Sequence, residues 1–125
     1  TEKLAEQQAL LRSLSETLSQ ENPSVTIDVS VIPQYRNMAA GLSNEPRAVD
    51  YAQRAHERLG RVAQLTTVRG GTDGSQLTEK GLPTPNLSSG QHNPHSPLEW
   101  ACRDEMVQAG EVLQELAQVW QESSA

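Results

Sequence analysis

The sequence predicts an α/β fold with parallel strands, and two observations support that prediction. Apolar residues recur at helical spacing in three long segments, which are residues 1–20, 46–60 and 103–121. Between the second and third of these, a strand pattern at 62–68 leads into a glycine-rich turn, a short helical segment at 75–80 and an extended segment at 83–87. A strand, a helix and a second strand in this order form a βαβ unit, whose two strands run parallel.

The composition predicts a thin hydrophobic core. Hydrophobic residues make up 35% of the 125, with no Phe, two Tyr and two Trp, whereas ordinary globular chains have roughly 45–50% apolar residues when glycine is included. We therefore expect this chain to be part of something larger. The formal net charge of −6 and the scattered Lys and Arg residues argue against a nucleic-acid partner, because phosphate binding needs clustered basic side chains.

Cysteine and hydropathy bear on the compartment. The single cysteine, Cys102, excludes an internal disulfide framework, fits a reducing compartment, and is expected to be a small, buried or half-buried side chain. No apolar run approaches the roughly 18–20 residues that a membrane span requires. The chain is therefore predicted to be cytoplasmic and to have no membrane partner.

The N-terminal segment is predicted to be half of an open-faced sandwich. Leu4, Leu11, Leu14 and Leu18 form one stripe of a helix that ends before Pro23. Residues 25–32 then alternate between apolar and polar side chains, as in a strand covered on one face. One helix and one strand cannot close a core, which again implies sequence beyond this chain. A linker of small residues at 39–44 follows as a hinge or domain crossing.

Two short motifs are candidates for ligand binding. Arg36 and Asn37 could hold a carboxylate, Arg through its two-pronged guanidinium and Asn through its amide, although a solvated arginine is an open alternative. Gly70 and Gly71 allow close backbone approach to a ligand, and Thr72 or Asp73 can cap the helix that follows. The free amides at such a helix start favour an anion. The motif is neither a Walker sequence nor a dinucleotide fingerprint.

Histidines are the candidate metal ligands. His95 lies in a loop rich in Pro, Asn and Ser, three residues after His92 and four before Glu99. Zinc needs three or four ligands, and no Cys or carboxylate cluster elsewhere in the sequence completes a site around His95. His56 lies off the apolar stripe of its helix and is expected to be an ordinary surface histidine.

Three motifs together resemble the C-terminal part of the peptidase T family. They are Arg-Gly-Gly-Thr-Asp-Gly-Ser-Gln-Leu at 69–77, Gly-Leu-Pro-Thr-Pro-Asn-Leu at 81–87 and His-Ser-Pro-Leu-Glu-Trp at 95–100. Tyr-Arg-Asn-Met at 35–38 and the helix at 46–60 are similar as well, so the resemblance covers nearly the whole chain. This family contains zinc aminotripeptidases, in a superfamily with carboxypeptidase G and acetylornithine deacetylase.

The resemblance implies a two-zinc hydrolase acting on short peptides, with a parallel-sheet catalytic domain and an inserted lid that forms homodimers in many relatives. It implies that residues 1–38 are the C-terminal half of the lid and 39–125 the C-terminal part of the catalytic domain. His95 would be a zinc ligand, and substrate would contact Arg36, Asn37, Gly70, Gly71, Thr72 and Asp73.

The other zinc ligands and the general base of relatives belong to an N-terminal half that these residues do not match, so this chain alone is expected to be an inactive fragment. The N-terminal part of the same enzyme would be its partner. Two alternatives remain open. One is an amidase or deacetylase of the same superfamily that acts on N-acyl amino acids, and the other is a non-catalytic binding remnant.

Overall fold

The computed structural model describes residues 2–123, which form five helices and one two-stranded sheet. The helices are α1 (Glu2–Glu21), α2 (Ala39–Leu42), α3 (Arg47–Arg58), α4 (Asp73–Glu79) and α5 (Arg103–Glu122). The strands are β1 (Gln91–His92) and β2 (Trp100–Ala101). All four predicted helices are confirmed to within a few residues, while Thr1, where the first was predicted to begin, lies outside the described residues. The predicted linker at 39–44 contains the short helix α2.

The chain divides into two compact units, Thr1–Gln34 and Tyr35–Ala125. The first contains α1 and the segment after it, which is tied to the helix by a hydrogen bond from the Ser15 hydroxyl to the Ile27 carbonyl oxygen, 3.1 Å long. No side chain of α1 is buried among its described residues. Five leucines of the helix are 45–61% exposed, namely Leu4, Leu10, Leu11, Leu14 and Leu18.

The second unit is organised around the packing of α3 against α5. Ala55 of α3 is buried against Val112 and Val119 of α5, and Tyr51, Leu59 and Leu116 pack at the edge of this cluster. The Tyr51 and Trp120 rings meet edge to face, with centroids 4.7 Å apart. Because the cluster consists mostly of alanine and valine, the thin core expected from composition is confirmed.

Ion pairs reinforce the same helix pair from its rim. The guanidinium of Arg58 on α3 binds the carboxylates of Glu115 and Glu122 on α5. These hydrogen bonds raise the pKa of Arg58 above its ordinary value, and the Arg58 hydrogen bond lowers the pKa of the Glu122 carboxyl. Just beyond the end of α3, Arg61 binds Glu111 and the Gln108 carbonyl oxygen of α5. The angle and register of α3 on α5 are therefore fixed by charge as well as by packing.

The predicted strands are not found. Residues 25–32, 62–68 and 83–87 carry neither helix nor strand, and the sheet present in the described residues is antiparallel, pairing Gln91 with Ala101 and His92 with Trp100. The physical reason is that a strand exists by hydrogen-bonding to a neighbour, and none of these three segments has a paired neighbour here. Val62 and Leu65 are accordingly 87% and 72% exposed. The parallel βαβ unit expected from the sequence is thus not formed by these residues.

Three further expectations concern a membrane span, Cys102 and the division into domains. None of the helices in the described part of the chain has the length and apolar character needed to cross a membrane. Cys102 is free and half-buried, as expected. The assignment of 1–38 to a lid and 39–125 to a catalytic domain stays a prediction.

Candidate functional site

The glycine-rich turn ends in a fully capped helix start. Thr72 is extended (φ −130°, ψ 162°), and its hydroxyl accepts a hydrogen bond of 3.2 Å from the Ser75 backbone amide. In return the Ser75 hydroxyl accepts one of 3.1 Å from the Thr72 amide. This reciprocal capping box satisfies two of the amides that a helix start leaves free. The prediction that Thr72 or Asp73 caps this helix is confirmed for Thr72, and Asp73 is the exposed first residue of α4.

Close packing explains two of the glycines near this turn. A Cβ on Gly71 would lie 2.4 Å from the Tyr35 ring, and one on Gly74 would lie 2.6 Å from the Thr84 carbonyl oxygen. The turn is therefore pressed against Tyr35 on one side and against residues 84–86 on another. Gly70 has open space where a side chain would be, which leaves its backbone accessible from outside.

Arg36 and Asn37 follow Tyr35 directly, so the structure brings these two motifs together. The Arg36 Nε lies 3.7 Å from an oxygen of Glu79 at the end of α4, and the Arg36 side chain is 81% exposed. An ion pair so exposed contributes little to stability, and an external carboxylate could replace Glu79. The Asn37 Oδ1 accepts a hydrogen bond of 2.9 Å from the Ala39 amide at the start of α2, so its oxygen is already used while its amide nitrogen remains a donor.

His95 lies on the turn that closes the β1–β2 hairpin. It is exposed, and its backbone is left-handed (φ 63°), a conformation that is uncommon for residues other than glycine. The Glu99 carboxylate accepts a 3.0 Å hydrogen bond from the His95 backbone amide and a 2.5 Å bond from the Gln91 side chain. Both bonds lower the pKa of Glu99, that from Gln91 more. None of the described residues hydrogen-bonds the His95 imidazole.

Residues that the sequence did not single out anchor the hairpin. The His92 ring stacks on Trp100 across the ladder, with centroids 4.0 Å apart and planes within 9°, and its Nε2 lies 2.6 Å from a carboxylate oxygen of Glu105 on α5. The Cys102 amide donates to the Gly90 carbonyl oxygen at 2.9 Å. No periodic pattern in the sequence signals this hairpin, because its strands are only two residues long.

A groove of about 320 Å³ lies beside this anchor. Its lining includes His56, Arg61, Ser88, His92 and Glu105. His56 is half-buried there, so the ordinary surface histidine that the sequence predicted lines a groove wall. Within residues 2–123, no group of three or more His, Cys, Asp or Glu side chains is placed to hold a metal ion. No hydrogen bond or ion pair of the described residues joins His95 to the Gly70–Asp73 turn.

Comparison with known proteins finds peptidase T repeatedly. The chain is 34% identical to peptidase T of Geobacillus kaustophilus over 124 residues, which is 99% of this chain and 30% of that protein. It is 33% identical to peptidase T of Listeria innocua over 96% of its length, and 42% identical to that of Staphylococcus saprophyticus over 74%. The chain spans between 22% and 30% of the length of these relatives. No family model matches it.

Proposed function

Because this chain resembles peptidase T over almost all of its residues, we propose that it forms one wall of the active site of a zinc-dependent aminopeptidase that hydrolyses short peptides such as tripeptides. The other wall, with the remaining zinc ligands and the general base, comes from an N-terminal part of the same enzyme in this proposal. The proposal rests on the similarity of this chain to peptidase T. The geometry of the candidate motifs supports the roles assigned to their residues.

The observation that carries the proposal is the presentation of His95. A turn holds this residue in a left-handed backbone conformation that costs about 1–2 kcal/mol for a residue with a Cβ. Such conformations persist where the surroundings enforce them, and they concentrate at functional sites. The imidazole that this turn presents is exposed, and none of the described residues hydrogen-bonds it, so its ring nitrogens are accessible.

The donor set fits one position in a zinc site. A neutral imidazole nitrogen is among the commonest zinc ligands, and His95 offers one, whereas the ring of His92 is already engaged by Glu105 and Trp100. When bound, zinc activates water and polarises the peptide carbonyl. His95 would hold one of the two ions expected in the complete enzyme, and the remaining ligands would come from outside this chain.

The Arg36, Asn37 and Gly70–Asp73 group would hold the peptide. The Arg36 guanidinium can exchange its exposed Glu79 partner for a substrate carboxylate, with two parallel hydrogen bonds. The Asn37 amide nitrogen can donate to a substrate carbonyl. The open space at Gly70 favours close approach of a peptide main chain.

Catalysis by this chain alone is not expected. A general base acting near neutral pH needs a pKa raised towards 7. Every carboxyl whose pKa is displaced in the described residues, namely Glu45, Glu99 and Glu122, is displaced downwards by a hydrogen-bonding partner. Each of these pKa values is lowered from its ordinary value, which suits ion pairing rather than proton transfer near neutral pH. In the proposal, the base is contributed by the missing wall.

The same proposal accounts for the unpaired segments. In it, residues 62–68 and 83–87 join a parallel sheet whose other strands belong to the N-terminal part of the catalytic domain, and residues 1–38 complete a lid through which the enzyme dimerises. Exposed apolar side chains on all of these segments support this reading. We place the enzyme in the cytoplasm, because the one cysteine of this chain, Cys102, is free and half-buried.

The test is zinc content and hydrolysis in the gene product that contains this chain. Replacement of His95 with Asn removes the imidazole but keeps a residue that tolerates left-handed backbone. We expect H95N to lose zinc and to reduce tripeptide hydrolysis by at least a hundredfold. His56→Asn is the matched control, because it removes a half-buried histidine outside the proposed site and should change neither quantity.

A comparison of substrates distinguishes the peptidase from an amidase. Tripeptides and N-acetyl amino acids are offered to the same preparation, and we expect cleavage of the former. Faster hydrolysis of N-acetyl amino acids would replace the peptidase proposal with an amidase. Unchanged zinc content and activity in H95N would remove His95 from the site, and a zinc-free, inactive gene product would favour a binding remnant.

A further inference from the structure

Glu99 is placed to control the backbone of His95 rather than its side chain. One oxygen of its carboxylate accepts the 3.0 Å hydrogen bond from the His95 amide, and the other accepts the bond from Gln91 on β1. Glu99 itself directly precedes β2, and its own amide donates to the Ser96 carbonyl oxygen at 3.0 Å. The carboxylate thus links both strands of the hairpin to the residue at the tip of the turn.

This hydrogen bond stabilises an unfavourable backbone conformation at His95. Left-handed backbone is unfavourable for histidine, and the turn contains a second such residue, Asn93 (φ 49°). An amide in a turn this tight must find an acceptor or remain exposed to water. The Glu99 carboxylate supplies that acceptor, and the bond from Gln91 keeps it from swinging away from the turn.

We propose that Glu99 is a positioning residue for His95, which fixes the left-handed turn through the His95 amide and so aims the imidazole at the metal. This inference rests on the proposed function, in which His95 is a zinc ligand. Groups that orient a ligand without touching the metal typically change metal affinity by 10- to 100-fold when they are removed. Glu99 acts here through the main chain, with Gln91 as its support.

The charge of the Glu99 side chain distinguishes positioning from direct ligation. Both Glu99 oxygens accept hydrogen bonds from within the hairpin, and each keeps a second lone pair. A carboxylate that bound the metal directly would need its negative charge. As a positioning group, Glu99 needs only to accept hydrogen bonds, so its charge is dispensable and an amide should serve.

The experiment compares Glu99→Gln with Glu99→Leu in the gene product that contains this chain. Glutamine keeps an acceptor for the His95 amide, and Gln91 can turn its own amide to match, whereas leucine keeps approximate size and accepts nothing. Zinc affinity is measured by competition with a chromophoric chelator. We expect E99L to weaken zinc binding by about 10- to 100-fold and E99Q to stay within about threefold of the native protein. Glu57→Leu, an exposed glutamate on α3, is the matched control and should not change the affinity.

A second measurement is made without zinc, so that it does not depend on the proposed function. Amide hydrogen exchange at His95, followed by fragment-resolved mass spectrometry, should accelerate at least tenfold in E99L and remain near native in E99Q and E57L. If E99L weakens zinc binding while the His95 amide stays protected, or if E99Q is as damaging as E99L, Glu99 is not a positioning residue. If the exchange results hold but H95N binds zinc as the native protein does, the proposed function fails while the backbone role stands.

Discussion

Replacing Gly90 with Ala should destabilise the second unit more than any other glycine replacement at positive φ. Gly90 has φ 77°, and a Cβ there would lie 2.8 Å from the Met106 amide nitrogen and 3.0 Å from the Cys102 carbonyl oxygen. Both contacts are with main-chain atoms at the start of α5, which cannot move without shifting the helix. The hairpin that presents His95 is therefore clamped to α5 at this glycine.

The magnitude follows from two contributions. Left-handed backbone costs alanine about 1–2 kcal/mol, and overpacking against atoms that cannot move typically costs about 1–3 kcal/mol more. We expect the free energy of unfolding to fall by about 2–5 kcal/mol. Gly60→Ala is the matched control, because Gly60 has φ 68° and nothing within 4 Å of its Cβ position, so it should lose only the backbone contribution of about 1–2 kcal/mol.

Urea unfolding followed by tryptophan fluorescence measures both variants, with the free energy taken by linear extrapolation. Gly110→Ala provides a third point, since Gly110 lies inside α5 with open space at its Cβ, and alanine there should stabilise the protein by about 0.5–1 kcal/mol. If Gly90→Ala costs no more than Gly60→Ala, the contact between hairpin and helix does not restrain the structure, and the reasoning fails.

Three other outcomes are expected. Thr72→Ala removes the capping box of α4 and should cost about 1 kcal/mol, whereas Thr66→Ala, in an exposed segment, should stay within about 0.5 kcal/mol of native in the same urea titration; equal losses would deny the cap a role. Stability should fall as the pH drops below about 4.3, the ordinary value for glutamate, because the Arg58 hydrogen bond lowers the pKa of Glu122 in the folded state and its contribution is lost as the pH passes that lowered value. Melting temperatures from pH 7 to pH 3 should therefore drop less in Glu122→Gln than in the native protein, and parallel curves would contradict this. Finally, the 125-residue chain supplied with zinc should not hydrolyse tripeptides, and turnover above the rate in buffer would show that its own residues suffice.

The helices could be predicted from the sequence because their signals are local. Spacings of three and four residues mark the apolar stripes, and the hydrogen bonds of a helix join residues four apart, so residues 103–121 specify α5 without reference to the rest of the molecule. Gly60, which closes the predicted helix at 46–60, has left-handed backbone in the structure, as is common at helix ends. The cap at Thr72 could be predicted for the same reason, because its hydrogen bonds involve only residues 72–75.

The predicted strands are not found in the described residues because the sequence signal for a strand is not local. Alternation at 25–32 describes a surface that suits a sheet, but the sheet exists only where another strand pairs with it. The β1–β2 hairpin shows the converse, since it is held by the His92 stack on Trp100 and the hydrogen bond between His92 and Glu105. Those contacts join residues 8 to 13 positions apart, and no periodicity announces them.

The roles of the candidate site residues stay predictions, to which the structure adds geometry. Sequence reasoning selected His95 and the 70–73 turn by composition and resemblance, and the structure adds the left-handed backbone and the proximity of Tyr35 to Gly71. The sequence alone could not identify Glu99 as a partner of His95. A carboxylate four residues from a histidine is ordinary until its hydrogen bond to the histidine amide is seen. Partners of this kind depend on the path of a loop, which single-sequence patterns do not determine.

The stacking of Trp100 on His92 gives the proposed metal-ligand hairpin its own optical reporter. The chain has two tryptophans, and the other, Trp120, lies against Tyr51 in the packing of α3 on α5. A protein carrying Trp120→Phe would emit from this chain through Trp100 alone. Its fluorescence would then register opening of the hairpin, and a matched Trp100→Phe protein would register separation of the helices through Trp120. Comparison of the two titrations gives the order in which the two parts come apart.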